Sequence, residues 1–250
     1  RSTWSQFLDN AKKLTTSDYV GTNIIMDKGE GIIYALGSFF TEAGAQFVSD
    51  DGSKADGYVN SDASVKAAEY LNEFIKNGYA NLDPVKDEFL NGKAATLLGG
   101  SWNIADLEKS NLNWGVSYFP VADDGKAVSP TGDWAAAITK DSKNPDAAGK
   151  FLQWAMNSDN IASYASAVAK PASRTSSYDK MEGWDSGARA LMKWQLQNTG
   201  VSRPRTPSYS VLSTDFSTAM LNIFSGSDAK EELDNVAKNF DENYEMYYKK

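Results

Sequence analysis

The apolar pattern of this chain changes period again and again, and that alternation limits its fold more than any other feature. Short runs such as Tyr19 to Met26, Lys93 to Leu98, Trp114 to Phe119 and Asp133 to Thr139 read as strands. Longer stretches carry apolar residues every three or four positions and read as helices. Strands separated by helices along most of the sequence predict an α/β class. No internal repeat or low-complexity segment interrupts the pattern.

The helix boundaries are marked by local chemistry. Thr3-Trp4-Ser5-Gln6 has the S/T-x-x-Q form of a capping box, in which two backbone donors at a helix start are satisfied reciprocally, and the helix should run to about Leu14. Glu30 to Val48 predicts a helix breaking near Gly44. Ser61 caps a helix with the stripe Val65, Ala68, Leu71, Phe74 and Ile75, stopped by Gly78. Tyr58-Val59 suggests a short strand, Val85 to Leu90 a short helix, and Trp102 to Lys109 another helix. The second half reads as mostly helical: Pro145 to about Asn157, Ile161 to Val168, Gly187 to Asn198, and Thr214 to Phe224. The last helix carries the stripe Leu233, Val236, Ala237, Phe240, Tyr244 and Tyr247.

Composition removes several function classes. The 250 residues contain no His and no Cys, which excludes Ser-His-Asp and Cys-His catalysis, zinc sites built on those ligands, and disulfides. Any catalysis would rest on carboxylates, Lys, Ser or Tyr. A net charge of −8 with no basic tract does not suit a phosphate backbone, so nucleic acid is not an expected partner. No apolar run is long enough to cross a bilayer. The start at Arg1, running straight into a helix, reads as a processed or cut product.

Short motifs for chemistry are weak. Ser177-Tyr178-Asp179-Lys180 and Ser158-Asp159-Asn160 match the S-x-x-K and S-D-N of serine acyl-transferases, but in the wrong order and without K-T-G. Gly29-Glu30-Gly31 lacks the third glycine of a dinucleotide loop, where Tyr34 stands, so it reads as a turn placing a helix start beside a polar ligand. Asp50, Asp51 and Asp56 do not have the spacing of a calcium loop and read as a solvated surface. No cofactor or metal is expected.

The aromatic residues say more. Seven Trp, twelve Tyr and eleven Phe make up 12% of the chain. Trp102 follows a predicted strand and Gly99-Gly100, at the kind of strand end where open α/β sheets bind ligands. Trp134 follows Gly132-Asp133 in a similar setting. A flat indole suits the apolar face of a pyranose, and nearby carboxylates and amides suit its hydroxyls. Trp154 and Trp194, in the middle of helices, read as core.

At this point the order of features resembles a family, the extracellular solute-binding proteins of carbohydrate ABC importers. The most specific stretch is Phe89-Leu90-Asn91-Gly92-Lys93-Ala94-Ala95-Thr96-Leu97-Leu98-Gly99-Gly100-Ser101-Trp102, similar to the family's F-x-x-G-x-x-A-M-x-x-x-G-x-W, with Thr96 and Leu97 where Met is common. Trp114 to Pro120, Gly132 to Ile138, Asn144 to Leu152 and Arg203-Pro204-Arg205-Thr206-Pro207-Ser208-Tyr209 resemble further family segments.

The resemblance implies a type II periplasmic-binding-protein-like fold of two lobes gripping an oligosaccharide in the cleft between them, without catalysis. It implies that residues 1–130 and 188–250 form the C-terminal lobe and that 131–187 form a hinge strand and helices belonging to the N-terminal lobe. Most of that N-terminal lobe would lie outside this sequence, leaving apolar surface bare between about Trp134 and Gly187. Carried over position by position, Trp102 becomes a stacking platform, Trp134 a hinge-side aromatic and Tyr34 a cleft aromatic. Arg203 and Tyr209 would bond sugar hydroxyls, with Glu30, Asp133 and Asn103 as further polar candidates. The implied partners are an oligosaccharide and the membrane subunits of an ABC transporter. The protein would be a monomer and a lipoprotein, tethered at the bacterial cell surface or periplasmic. A carboxylate-based glycosidase and a lectin-like surface protein are the alternatives.

Overall fold

The computed structural model describes residues 2–24, 26 and 29–249. Its elements in chain order are α1 (Trp4–Leu14), α2 (Glu30–Glu42), α3 (Asp62–Lys76), α4 (Ile104–Lys109), β1 (Ser129–Pro130), α5 (Pro145–Ala155), α6 (Ser158–Ala167), α7 (Gly187–Asn198), β2 (Gly200–Val201), α8 (Tyr209–Phe224) and α9 (Ala229–Tyr247). They divide into two compact units. The first comprises the described residues within 2–98, 118–131 and 199–249, and the second 99–117 and 132–198. Residues 99–117, grouped by the sequence with 1–130, thus associate with 132–198, and that unit runs on to Asn198.

The first unit is built on helix packing. The capping box forms as expected, with the Gln6 N–H donating to Thr3 Oγ1 at 3.3 Å and the Thr3 N–H donating to Gln6 Oε1 at 3.0 Å. Trp4 then turns inward and stacks on Tyr70 of α3, with ring centroids 4.4 Å apart and planes 12° from parallel. Helix α2 is apolar on most of its surface and is buried along most of its length, from Ile32 to Glu42, with Tyr34 and Thr41 only partly covered. It packs against α3 and α8, and α8 packs against α9. Phe39 and Phe40 of α2, Leu71 and Phe74 of α3, Phe216 of α8 and Phe240 of α9 are among the fully buried side chains of this core. The α9 stripe is buried from Leu233 to Phe240, while Tyr247 at its end is exposed.

The strand expectations fare unevenly. The segments around Tyr19 to Met26 and Lys93 to Leu98 do run side by side in parallel, through bridges Val20–Ala94 and Asn23–Leu97. Ile25 lies outside the described residues. Below this pair, buried Glu88 accepts from Asn23 Nδ2 at 2.7 Å and Asn81 Nδ2 at 2.6 Å. Ser129–Pro130, at the end of an expected loop, instead pairs in parallel with Gly200–Val201. Trp114–Phe119 and Asp133–Thr139 form no ladder among the described residues. A strand needs a neighbour to take up its backbone groups, and residues 133–139 are exposed throughout. Tyr58-Val59 is a turn bonded back to Ala55. Val85–Leu90 forms turns, because Asp87 takes φ +53°, outside the right-handed helix.

The second unit has a smaller core, in which Trp184 meets Tyr178 edge-on at 5.7 Å beside Ile161, Ala165 and Met181. Arg189 of α7 grips Glu108 of α4 through two hydrogen bonds, one of 2.8 Å. Helix α5 buries no residue and turns Phe151 and Trp154 outward, their rings 5.9 Å apart. Trp154, expected in the core, is 60% exposed because nothing among the described residues covers that face of α5. Trp194 is likewise exposed in part, and the tryptophans that fill cores are Trp4 and Trp184.

This difference is measurable. Trp184→Ala should lower the unfolding free energy by about 3–5 kcal/mol, the usual loss for a large core aromatic. Trp154→Ala should change it by no more than about 0.5 kcal/mol. Urea unfolding followed by circular dichroism distinguishes them, and equal losses would contradict the burial pattern.

Candidate functional site

Four of the eight expected site residues come together in the first unit. Gly29, at φ +80°, turns the chain into α2, a backbone conformation that costs glycine little. Its N–H donates to Ser217 Oγ of α8 at 2.7 Å. That contact sets the first residue of α2, Glu30, beside α8. The Glu30 carboxylate accepts from Tyr209 Oη at 2.9 Å and from Ser213 Oγ at 2.9 Å, and pairs with Arg203. The Arg203 guanidinium also lies over the Tyr34 ring, 5.3 Å from its centroid.

The electrostatics of this cluster are nearly balanced, with one carboxylate against one guanidinium. Burial, and then the Glu30 carboxylate it donates to, push the Tyr209 phenol well above the ordinary tyrosine value. Burial works against the charge on Arg203, but the hydrogen bond and charge of Glu30 outweigh it and hold the guanidinium ionised. Both ionic side chains remain partly exposed, so their pairing adds little stability. The result is a mutually bonded array of hydroxyl, carboxylate and guanidinium groups, with the Arg203 and Glu30 side chains partly exposed. Ser213 and Ser217 were not anticipated. Their signal was the spacing Tyr209, Ser213, Ser217, which places three polar groups on one face of α8.

The other four expected residues belong to the second unit. Trp102 sits in a tight turn at Ser101–Asn103, and its indole lies on bare backbone: a Cβ at Gly100 would come within 2.1 Å of the ring. The ring is 42% exposed. Asn103 Oδ1 accepts from the Gly100 N–H at 3.0 Å, so this side chain closes the turn that holds Trp102. Asp133 accepts from the Trp134 N–H at 2.8 Å and pairs with Lys170 at 3.1 Å. Trp134 itself is 93% exposed.

The competing motifs resolve into structural contacts. Ser177 and Ser158 do meet, but Ser177 is fully buried and its hydroxyl donates to the Ser158 carbonyl at 2.9 Å, while Lys180 pairs with Asp159. Asp51 accepts from Ser49 Oγ at 2.6 Å and from Ser53 Oγ at 2.7 Å. These bonds hold its carboxyl down at about 2. No group of three acidic, His or Cys residues suited to a metal occurs among the described residues. No helix among them is long and apolar enough to cross a membrane.

Residues 2–191 match the family of bacterial extracellular solute-binding proteins, and the chain belongs to that family. It is 24% identical over 191 residues to a maltodextrin-binding protein of Bacillus subtilis, a match covering 72% of this chain and 45% of the relative. It is also 24% identical over 253 residues to a galactooligosaccharide-binding protein of the same organism, covering 94% and 58%. The chain thus spans about half the length of these relatives. Among solved structures, an ABC transporter solute-binding protein of Thermotoga lettingae, bound with α-D-tagatose, superposes with a TM-score of 0.81 at 21% identity, over 97% of this chain and 64% of that one. The fold is type II periplasmic-binding-protein-like, as the resemblance implied.

Two titrations test the local chemistry. Glu30→Gln should bring the Tyr209 phenol part of the way down toward the ordinary tyrosine value, read by ultraviolet difference spectroscopy; an unchanged midpoint would deny the Glu30 contact. Because the folded Asp51 carboxyl lies below its unfolded value, its contribution to the loop is present at neutral pH and is lost as pH falls toward about 2. Replacing Ser49 and Ser53 by Ala should raise that midpoint in a carbon-detected NMR titration, and a midpoint left at about 2 would exclude the hydroxyls as its cause.

Proposed function

We propose that this chain is part of the substrate-binding component of a carbohydrate ABC importer, capturing an oligosaccharide by aromatic stacking and hydrogen bonding, with no catalysis. The observation that carries this reading is the cluster of Glu30, Tyr34, Arg203 and Tyr209, with an exposed indole at Trp102 in the second unit. Sugar hydroxyls both donate and accept, and a carboxylate, a guanidinium and a phenol fixed by one another serve them without further reorganisation. An indole held against Gly100 offers a flat apolar face to the C–H side of a ring. Trp134 and Asp133, near the unit boundary, and Asn103, which braces Trp102, complete the set.

The names of the relatives support maltodextrins and galactooligosaccharides as the ligand class. The membrane subunits of the transporter are the partner, and the protein works as a monomer outside the cytoplasmic membrane, periplasmic or tethered to the cell surface as a lipoprotein. Residues 131–187 act as the part of the chain that belongs with an N-terminal lobe. The uncovered pair Phe151 and Trp154 on α5 is the surface on which that lobe would pack. Ligand binding would favour a closed arrangement by differential affinity. Nothing favours the glycosidase reading: Glu30 is occupied by Arg203 and two hydroxyls, and Asp133 by Lys170.

Intrinsic tryptophan fluorescence, titrated with maltose to maltopentaose and with galactooligosaccharides, tests the proposal. One series should give a saturable change, and Trp102→Ala should weaken it by at least about tenfold, the scale of a buried aromatic anchor. A folded protein that responds to neither series would refute the sugar reading, and an unaffected Trp102→Ala would remove Trp102 from the site.

A further inference from the structure

A cavity of about 370 Å³ opens inside the first unit, running along α2 away from Glu30. Its lining takes Tyr34, Ser38 and Thr41 from successive turns of one helix face, so the polar row that begins at Glu30 continues for two further turns. The loop after α2 contributes Gln46 and Asp50, and the segments around β1 and β2 contribute Val128, Pro130 and Val201. We propose that this cavity is a second binding site, taking one neutral polyhydroxylated molecule of the size of a single sugar ring.

Three features define that ligand. First, Ser38 is only 5% exposed, yet its hydroxyl reaches the Ala35 carbonyl at 3.5 Å, and Thr41 Oγ1 reaches the Gly37 carbonyl at 3.4 Å. Both distances stand at the outer limit of a hydrogen bond, so these hydroxyls gain from a better partner in the cavity. Second, the charges oppose one another: Asp50 lines the same cavity as Arg203 and Arg205, and Arg203 is already paired with Glu30. Neither an anion nor a cation is favoured, whereas hydroxyls suit both signs. Third, Val128, Pro130 and Val201 give an apolar wall for the C–H face of a ring, in a volume within the ordinary range of small-ligand pockets. The wall includes residues next to two of the four points where the chain passes between the units, at Thr131 and Thr199, so an occupant would brace those segments.

The site shares Tyr34 and Arg203 with the proposed oligosaccharide site and rests on that reading at this end only. The test is a titration of the nitrogen-15-labelled chain with D-glucose and, separately, with D-tagatose, following amide shifts. At least one sugar should move the amides of Ser38, Thr41, Gln46 and Val201 saturably. Thr41→Val, which keeps the volume and removes the hydroxyl, should weaken binding about three- to tenfold. Ser38→Leu, which fills the cavity, should abolish it, with circular dichroism checking that the variant folds. The same titration on Trp102→Ala separates the two sites: these shifts should persist there although the oligosaccharide response is weakened. No saturable shift in the wild type, shifts indifferent to Thr41→Val and Ser38→Leu, or shifts that vanish in Trp102→Ala would each overturn the inference.

Discussion

The buried carboxylate of Glu42 holds the first unit together at the point where its segments meet. It stands at the end of α2 and accepts from the Trp4 indole at 2.8 Å and from the Val128 N–H at 3.1 Å. A carboxylate taken from water must be repaid by hydrogen-bond donors, and here they come from the start of α1 and from the segment leading to β1. Losing such a partner leaves a buried group unsatisfied, at a cost of about 1–3 kcal/mol each. The indole that Glu42 orients is also the one stacked on Tyr70, whose hydroxyl donates to the Trp4 carbonyl at 2.8 Å. Helices α1, α2 and α3 and the approach to β1 are thereby fixed relative to one another.

With α2 pinned at its far end, its near end becomes a reliable place for a polar cluster. Gly29 bonds to Ser217, and Glu30 then meets Ser213, Tyr209 and Arg203 at the start of α8. Helix α2 can be apolar on most of its surface and still carry this row, because Glu30, Tyr34, Ser38 and Thr41 share one side. The core and the proposed binding residues therefore use different sides of the same helix. Phe39 and Phe40 fill the core, and the polar row faces a cavity and a cluster that contribute little to folding.

Much of this was legible in the residues. The capping box at Thr3 and the α9 stripe to Phe240 depend on contacts within a few positions, so sequence alone determines them. Strands are different: Asp133–Thr139 has the right residues but no neighbour to bond, while Ser129–Pro130, with none of the usual signs, pairs because β2 lies beside it. Trp154 misled for a similar reason, since a helical stripe says that a face is apolar and not that anything covers it. At the site, the period of the sequence did not reveal Glu30, Tyr34, Arg203 and Tyr209 as neighbours; the family resemblance selected them, and the fold shows them bonded across 173 and 179 residues. Ser213 and Ser217 escaped because serine in a helix is ordinarily unremarked, although the four-residue steps from Tyr209 to Ser213 to Ser217 are visible.

The central proposal is that the cluster of Glu30, Tyr34, Arg203 and Tyr209 binds an oligosaccharide. Hydrogen–deuterium exchange during a maltotetraose titration tests it directly, because peptides covering residues 29–42 and 199–213 report on that cluster. The account predicts slowed exchange in both, rising together with a single apparent Kd. Unchanged exchange in these peptides at saturating sugar would contradict it.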